Sequence, residues 1–260
     1  MIKDISLRNV DVTRYIVPLR EGGSLPALAE ADDGFKYVLK FRGAGHGTKM
    51  LISELIGGKI ASALGLNIPE LVFAWLDEDF GRSEGDEEIQ DLLKGSVGQN
   101  LGLHYLSGAL AFDPTTEIDP FLASTIVWLD AFTTNIDRTH NNSNLLWWHQ
   151  ELWIIDNGAS LYFHHSWKDF EKHSLNPFPY IKDHILLSQA TKLDEANSFA
   201  HTVLTDELFT EIVNIIPDNW LMWDHTEETP EQIREIYFKF LRNRLKHSVN
   251  FVNNAKDARG

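Results

Sequence analysis

Apolar residues up to about position 76 come in short runs that are separated by turn signals. The runs are RYIVPL, LPALAEA, FKYVLKF and ELVFAWL. DDG lies between the second and third runs and predicts a hairpin, because Asp-Gly pairs favour tight turns between strands. A helix is predicted at 48–64, before the fourth run, because apolar residues recur there at helical spacing. These residues are Leu51, Leu55, Ile56, Ile60 and Leu64.

Residues beyond an acidic segment at 77–88 follow mostly a helical period, and the acidic segment itself is predicted to be a solvated loop. Helices are predicted at 120–134, 194–201, 205–215 and 230–252. Two short apolar runs, LLWW and LWII, predict a hairpin between the first two of these helices. Strands followed by helices indicate an α+β fold. We therefore expect two lobes, a small antiparallel sheet with one helix at 1–76 and a helical lobe at 77–260, with a hinge near 75–79.

Composition narrows the setting in which the protein works. The 260 residues are 43% hydrophobic and include no cysteine, which excludes disulfides and thiolate chemistry and is consistent with a reducing compartment. Neither a run of about 18 apolar residues nor a secretory start is present, so we expect a cytoplasmic protein. A net charge of −15 disfavours nucleic acids and anionic membranes as partners.

Several polar residues that could act on a nucleotide occur in a definite order. Lys40 ends the third run, and Glu54 follows 14 residues later on the predicted helix. Asp137 follows the helix at 120–134, and Asp156 ends the hairpin. Phosphoryl transfer from ATP needs a lysine on the phosphates, oxygen ligands for magnesium and a base at the accepting hydroxyl. Protein kinases present these groups in the same order, so the order and spacing together favour a kinase.

Two asparagines are candidates for the amide ligand of magnesium. Asn142 lies five residues after Asp137, whereas Asn144 directly precedes LLWW. Both remain candidates, and the spacing favours Asn142. Arg138 is a candidate partner for a phosphate or for an acidic neighbour in the loop.

A phosphate-covering turn is predicted ahead of the lysine strand. In kinases a glycine-rich turn covers the phosphates, and Gly22, Gly23 and Ser24 occupy the corresponding place here. Ser24 is also a candidate site of autophosphorylation.

The sequence resembles the HipA-like kinases, bacterial relatives of the Ser/Thr protein kinases and of the phosphoinositide kinases. The segments that carry the resemblance are YVLKF, ELIGGKIASALGLNIPE, NIDRTHNNSNLLWW and LWIIDNGASLYFHH. The resemblance implies ATP and magnesium as cofactors, Lys40 as the lysine on the ATP phosphates, Asp137 as the base and Asp156 as a metal ligand. It also implies a Ser/Thr hydroxyl of a protein as the acceptor and, as in some members, an antitoxin-type partner. The chain is shorter than the best-known HipA toxins, and no activation segment ending in APE follows Asp156, which leaves the protein substrate open.

Other hypotheses stay open beside this one. The same residues could form a nucleotide-binding module without catalysis, or a kinase of a small metabolite, because DRTHNNSN is also similar to the loop of lipid kinases. GAGHGT is similar to a phosphate loop but lacks the full P-loop pattern. A zinc site at His164 and His165, with His140 and His149, is disfavoured because adjacent side chains on an extended strand point to opposite faces.

Overall fold

The computed structural model describes residues 5–19, 25–45, 47–80, 85–166, 169–224 and 226–260. These residues form an α+β fold, with a five-stranded barrel first and mostly helices afterwards. The α+β prediction is therefore confirmed. In the part of the chain described, no helix combines the length and the apolar character needed to cross a bilayer.

The barrel has the strand order β1-β2-β3-β5-β4. Its strands are β1 (Arg8–Pro18), β2 (Ala27–Ala31), β3 (Lys36–Lys40), β4 (Leu71–Leu76) and β5 (Gly98–His104). The β1–β4 pair is parallel and closes the barrel, whereas the other four pairs are antiparallel. The predicted sheet was purely antiparallel. Local alternation of apolar residues does not reveal which distant strands will pair, so the parallel closure could not be predicted.

The fifth strand lies beyond the predicted sheet-rich segment at 1–76. After β4 the chain forms α2 (Glu87–Gly95), which Asp86 caps, and returns to the barrel between β3 and β4. Residues 105–109 connect β5 to the next sheet, and the predicted hinge between two lobes at 75–79 stays a prediction. The sequence GQNLGLH escaped prediction because two glycines and few apolar residues weaken its strand pattern.

Helix α1 (Gly47–Ala63) is buried on nearly all sides because it packs between the barrel and helices from later in the chain. Two adjacent glycines permit this close approach. A Cβ added at Gly58 would lie 2.8 Å from Leu71 Cδ1 on β4. A Cβ added at Gly57 would lie 2.7 Å from Asn157 Cβ, just beyond the hairpin.

The second sheet has three short strands. They are β6 (Leu110–Ala111), β7 (Leu145–Trp148) and β8 (Glu151–Ile154). The β7–β8 hairpin turns at His149 and Gln150, which both have positive φ, as a type I′ turn requires. The predicted hairpin thus forms, and its open end faces the barrel through residues 144 and 155–158.

Helix α3 (Pro120–Thr133) is the centre of the helical part. Asp119 caps its first turn by accepting hydrogen bonds from the N–H groups of Phe121 and Leu122. The rings of Trp128 and Phe132 stack on its buried face, with their centroids 4.9 Å apart. The helices that follow are α4 (Phe170–Leu175), α5 (Leu193–Val203), α6 (Asp206–Asn214), α7 (Asp218–Leu221), α8 (Pro230–Lys246) and α9 (Val249–Arg259).

The helix predicted at 230–252 is in fact two helices, α8 and α9, divided at residues 247 and 248. No glycine or proline marks this break in the sequence. The break between α8 and α9 lets the ring of Phe251 pack against the rings of Trp128 and Phe132, with centroid distances of 5.6 Å and 6.3 Å. Tertiary packing therefore decides the break.

Candidate active site

A cleft of about 940 Å³ lies between the barrel and the β7–β8 hairpin. Five residues predicted from the sequence to bind or react line it: Lys40, Asp137, Asn142, Asn144 and Asp156. Glu54 lies behind Lys40 and is almost completely buried. The structure therefore brings together residues from four separate segments of the chain: β3, α1, the loop at 137–144 and the turn after the hairpin.

Lys40 forms the centre of a charge cluster at the floor of the cleft. Its Nζ donates hydrogen bonds to Glu54 Oε2 and Asp156 Oδ1, both at 2.6 Å. Burial alone would lower the pKa of Lys40, but the two carboxylates outweigh burial and raise it above its usual value. The ammonium therefore stays charged.

Glu54 joins helix α1 to the turn that carries Asp156. Its Oε2 also accepts the backbone N–H of Asn157 at 2.9 Å. Burial raises the pKa of Glu54, and the charge of Lys40 opposes that rise. Glu54 thus fixes the lysine and the turn at the same time.

Asp156 projects into the cleft from a left-handed backbone conformation, with φ of 54°. Its side chain is 44% exposed, and Oδ1 also accepts the N–H of Gly158 at 3.2 Å. Burial acts to raise the pKa of Asp156, but the charge of Lys40 prevails and lowers it. This carboxylate is therefore ionised and accessible.

Asp137 has a different environment in the same cleft. Its Oδ2 accepts hydrogen bonds from Asn142 Nδ2 at 2.8 Å and from Asn144 Nδ2 at 3.3 Å. Burial raises the pKa of Asp137, and the nearby charge of Asp156 adds to this effect against the two asparagine hydrogen bonds. Two carboxylates whose pKa values are shifted in opposite directions suit two different roles, such as base and metal ligand.

The oxygen atoms of the cleft suit a magnesium ion. Asp137 and Asp156 supply carboxylates, and Asn142 and Asn144 supply amide oxygens beside them. Mg²⁺ is a hard cation that proteins hold through one or two carboxylates, with substrate phosphates and water as the other ligands. Within the described ranges no group of three or more His, Asp or Glu side chains is arranged to hold a metal ion. The carboxylate and amide oxygens of the cleft are nevertheless of the kind that a magnesium ion binds.

A buried network beneath the cleft was not predicted from the sequence. Arg138 does not reach the cleft, because its side chain is completely buried and pairs with Asp130 at 2.6 Å. His184 Nε2 forms a hydrogen bond of 2.8 Å with Oδ2 of the same Asp130 carboxylate. The signal that could have indicated the network was Asp130 itself, a charged residue in the middle of the most apolar helix.

The N-terminal end of α1 is anchored to the helical part. Thr48 Oγ1 donates to the carbonyl of Trp220 at 2.7 Å and accepts from Trp223 Nε1 at 2.9 Å. Trp220 Nε1 in turn donates to the carbonyl of Gln99 on β5 at 2.9 Å. Helix α7 therefore helps to hold α1, and Glu54 with it, against the cleft.

Two further sequence predictions concern the edges of this site. Gly22, Gly23 and Ser24 lie outside the described residues. His164 and His165 lie in a short 3₁₀ turn and not on an extended strand. Burial, with the charges of His165 and Lys49, holds the pKa of His164 well below its usual value.

The fold and the cleft together have the arrangement expected of a kinase-type phosphotransferase: a lysine strand, a helix with its glutamate, and a hairpin flanked by aspartates. The family model of the HipA-like kinases matches residues 12–251. The chain belongs to the HipA-like kinase family, which confirms the resemblance found in the sequence and supports a phosphotransferase of the kinase type.

Among solved structures, the fold is similar to that of the Helicobacter pylori proinflammatory kinase CtkA. The TM-score is 0.54 and the sequences are 13% identical over 96% of this chain and 98% of that chain. At this identity the similarity shows a shared fold and nothing more. No curated protein matches the sequence.

Proposed function

We propose that this protein is an ATP- and magnesium-dependent kinase that phosphorylates a Ser or Thr hydroxyl of a protein, which includes its own chain. The observation that supports the proposal most is the convergence of Lys40, Glu54, Asp137 and Asp156 at one cleft. In this proposal the barrel and the helical part act as two lobes. The first lobe would extend beyond the predicted boundary at 76 to about residue 104, because β5 completes the barrel.

The nucleotide would lie with its base in the apolar part of the cleft and its phosphates at Lys40. Val38, Leu103, Leu106 and Ile155 line that apolar part, and flat apolar walls suit a purine ring. Lys40 already has two anionic partners, so a phosphate would take the place that Asp156 now occupies. The turn that the sequence predicts at 22–24 would cover the phosphates.

Asp156 and Asn142 would hold the magnesium ion, with Asn144 as the second candidate for the amide ligand. When bound, the ion neutralises charge on the transferred phosphoryl group. Asp156 suits this role because its pKa is lowered and its side chain reaches the cleft. Glu54 would keep Lys40 in place while Asp156 turns to the metal.

Asp137 would orient the accepting hydroxyl and receive its proton. The carboxylate is half-buried, and two asparagine amides donate to Oδ2, so its direction in the cleft is restrained. A base held this way contributes mainly through position, as expected where the reaction depends on alignment and electrostatics.

The proposal is tested by magnesium-dependent ATP turnover and autophosphorylation of the wild type beside Asp156→Ala. We expect the Asp156→Ala protein to lose both activities. Glu151→Ala is the matched control, because it removes an exposed carboxylate from the same hairpin and should retain them. Full activity in Asp156→Ala would remove the assignment of the cleft.

The acceptor can be identified with labelled ATP and a cell extract. Label in protein supports the proposal, whereas label confined to small molecules would indicate a metabolite kinase. Binding of ATP with magnesium in a thermal-shift assay, without any transfer, would indicate a nucleotide-binding module.

Asn142→Ala and Asn144→Gly decide which asparagine binds the metal. Asn144 has φ of 49°, and glycine at this position removes the side chain without adding backbone strain. We expect Asn142→Ala to raise the magnesium concentration needed for half-maximal turnover more than Asn144→Gly does. The reverse order would assign the ligand to Asn144.

A further inference from the structure

We propose that Asp130 and Arg138 are positioning residues that set the geometry of Asp137 and Asp156 without contacting the substrate. The inference concerns the same cleft and therefore rests on the proposed function. It does not depend on which hydroxyl accepts the phosphate.

Asp130 gathers the network from the interior of α3. Its side chain is 0% exposed and accepts four hydrogen bonds from three residues. The donors are Asn135 Nδ2 at 3.0 Å, Arg138 Nε at 2.6 Å, Arg138 Nη2 at 3.3 Å and His184 Nε2 at 2.8 Å. The N–H of Leu186 donates to His184 Nδ1 at 3.0 Å, so the ring proton of His184 is on Nε2 and points to Asp130.

A first branch of the network leads to the proposed base. Asn135 donates to Asp130 through Nδ2, and its Oδ1 accepts the backbone N–H of Asp137 at 3.1 Å. One buried side chain thus connects the central helix to the backbone of Asp137. The position of that backbone determines where the Asp137 carboxylate can reach.

A second branch leads to the proposed metal ligands. Arg138 Nη1 donates to the carbonyls of Asn144 at 2.6 Å and Ile155 at 3.0 Å, and Nη2 donates to Asn157 Oδ1 at 3.1 Å. The two carbonyls belong to Asn144 and to the residue just before Asp156. Both Asn144 and Asp156 adopt left-handed φ values, which cost energy in residues other than glycine and need support from their surroundings.

Every N–H group of Arg138 is used in this arrangement, since its five hydrogen bonds join four residues. A planar guanidinium can serve several acceptors at fixed angles, whereas a lysine ammonium is a compact point charge. Removing two charges from water is costly, so a buried pair does not by itself indicate a gain in stability. The hydrogen bonds from the Arg138 guanidinium to Asn144, Ile155 and Asn157 instead indicate a positioning role.

Arg138→Lys and Asn135→Ala test the two branches separately. Arg138→Lys retains the positive charge beside Asp130 but cannot bridge both carbonyls. Asn135→Ala breaks the connection to the Asp137 backbone. The matched control is Ser124→Ala at the other end of α3, where the buried hydroxyl donates to the carbonyl of Pro120 at 2.7 Å and accepts the N–H of Lys192 at 2.8 Å.

The readouts are kcat, the KM for ATP, and amide hydrogen exchange of residues 135–144 and 155–158. We expect both test variants to lower kcat by about 10–100-fold, the usual effect of losing an outer-shell partner. The KM for ATP should change less than about twofold, because Lys40 and the apolar part of the cleft stay in place in both variants. Exchange should become faster in the two loops. Ser124→Ala should lower the melting temperature without changing kcat or the exchange of the loops.

The inference is overturned if both test variants match Ser124→Ala in kcat and in loop exchange. If the wild type transfers no phosphate, the proposed function fails, and exchange still decides the positioning role. Faster exchange confined to the two loops in Arg138→Lys and Asn135→Ala supports that role, and unchanged exchange refutes it.

Discussion

Lys40 and Asp156 lie 116 residues apart in the sequence, and their side chains meet at 2.6 Å. The same ammonium reaches Glu54 at 2.6 Å, so one cation joins the barrel, α1 and the turn after the hairpin. The cation and Glu54 are almost completely buried, whereas Asp156 remains open to the cleft. A single charged group thus sets the relative positions of three elements.

Lys40→Met should destabilise the protein, because Glu54 would keep a buried charge without its cation. Breaking a buried pair in this way typically costs about 3–5 kcal/mol in the free energy of unfolding. The double variant Lys40→Met with Glu54→Gln should recover part of the loss, since glutamine is uncharged and its carbonyl can still accept the N–H of Asn157. Urea unfolding at pH 7 measures both. A single variant as stable as the wild type would show that the pair does not hold the fold.

Asp137→Asn should bind ATP and magnesium but transfer phosphate slowly. The substituted amide retains an oxygen for Asn142 and Asn144 but cannot accept a proton. We expect transfer to slow by about 10²–10⁴-fold, the range found when an acid–base group is lost. Single-turnover kinetics measure the step, and a thermal shift with ATP and magnesium shows that binding persists. Wild-type kinetics in this variant would rule out Asp137 as the base.

Gly57→Ala and Gly58→Ala should differ although the two residues are adjacent on α1. The added methyl at residue 57 would meet Asn157 Cβ at 2.7 Å, and Cβ is fixed to the backbone that carries Asp156. The methyl at residue 58 would meet Leu71 Cδ1 at 2.8 Å, the mobile end of a side chain.

Overpacking at residue 57 should lower the free energy of unfolding by about 1–3 kcal/mol. It should also lower activity, because it displaces Asp156. At residue 58 the higher helix propensity of alanine, about 1 kcal/mol relative to glycine, should largely offset the cost of the contact with Leu71. Chemical denaturation and ATP turnover of both variants provide the comparison. Equal effects at the two positions would contradict the assigned close approach to the turn.

The free energy of unfolding should fall as the pH decreases below about 6.5, the ordinary pKa of histidine. Burial, with the charges of His165 and Lys49, lowers the pKa of His164, so the folded state keeps this ring neutral while the unfolded state binds a proton. The loss approaches about 1.4 kcal/mol per pH unit for such a group, until the pH reaches the folded-state pKa.

His164→Gln should reduce the slope of stability against pH, because glutamine does not titrate. Urea titrations of the wild type and the variant between about pH 5 and pH 8, the range in which a histidine of ordinary pKa changes charge, measure the slopes. An unchanged slope in His164→Gln would show that this ring does not resist protonation in the folded state.

Much of the local structure could be predicted from the sequence. Helix α3 was predicted at 120–134 and forms at Pro120–Thr133, and the predicted β7–β8 hairpin also forms. Lys40, Glu54, Asp137 and Asp156 could be identified because each belongs to a short segment whose pattern is local. The family followed from the same segments and is confirmed by the match over residues 12–251.

The sequence did not reveal how distant segments pair. Strand β5 and the parallel β1–β4 closure were missed, and the break between α8 and α9 has no sequence signal. The buried ion pair of Arg138 with Asp130 was also missed, because a charged residue is expected at the surface unless a partner is known to be buried with it.

The sequence by itself determined α1, α3, the β7–β8 hairpin and the identity of the polar residues near the cleft, since period, turn chemistry and spacing act over a few residues. Only the tertiary structure decided which atoms meet: Lys40 with Asp156, Arg138 with Asp130, and Gly57 with Asn157. Those contacts depend on the simultaneous packing of segments far apart in the chain, and no local pattern contains that information.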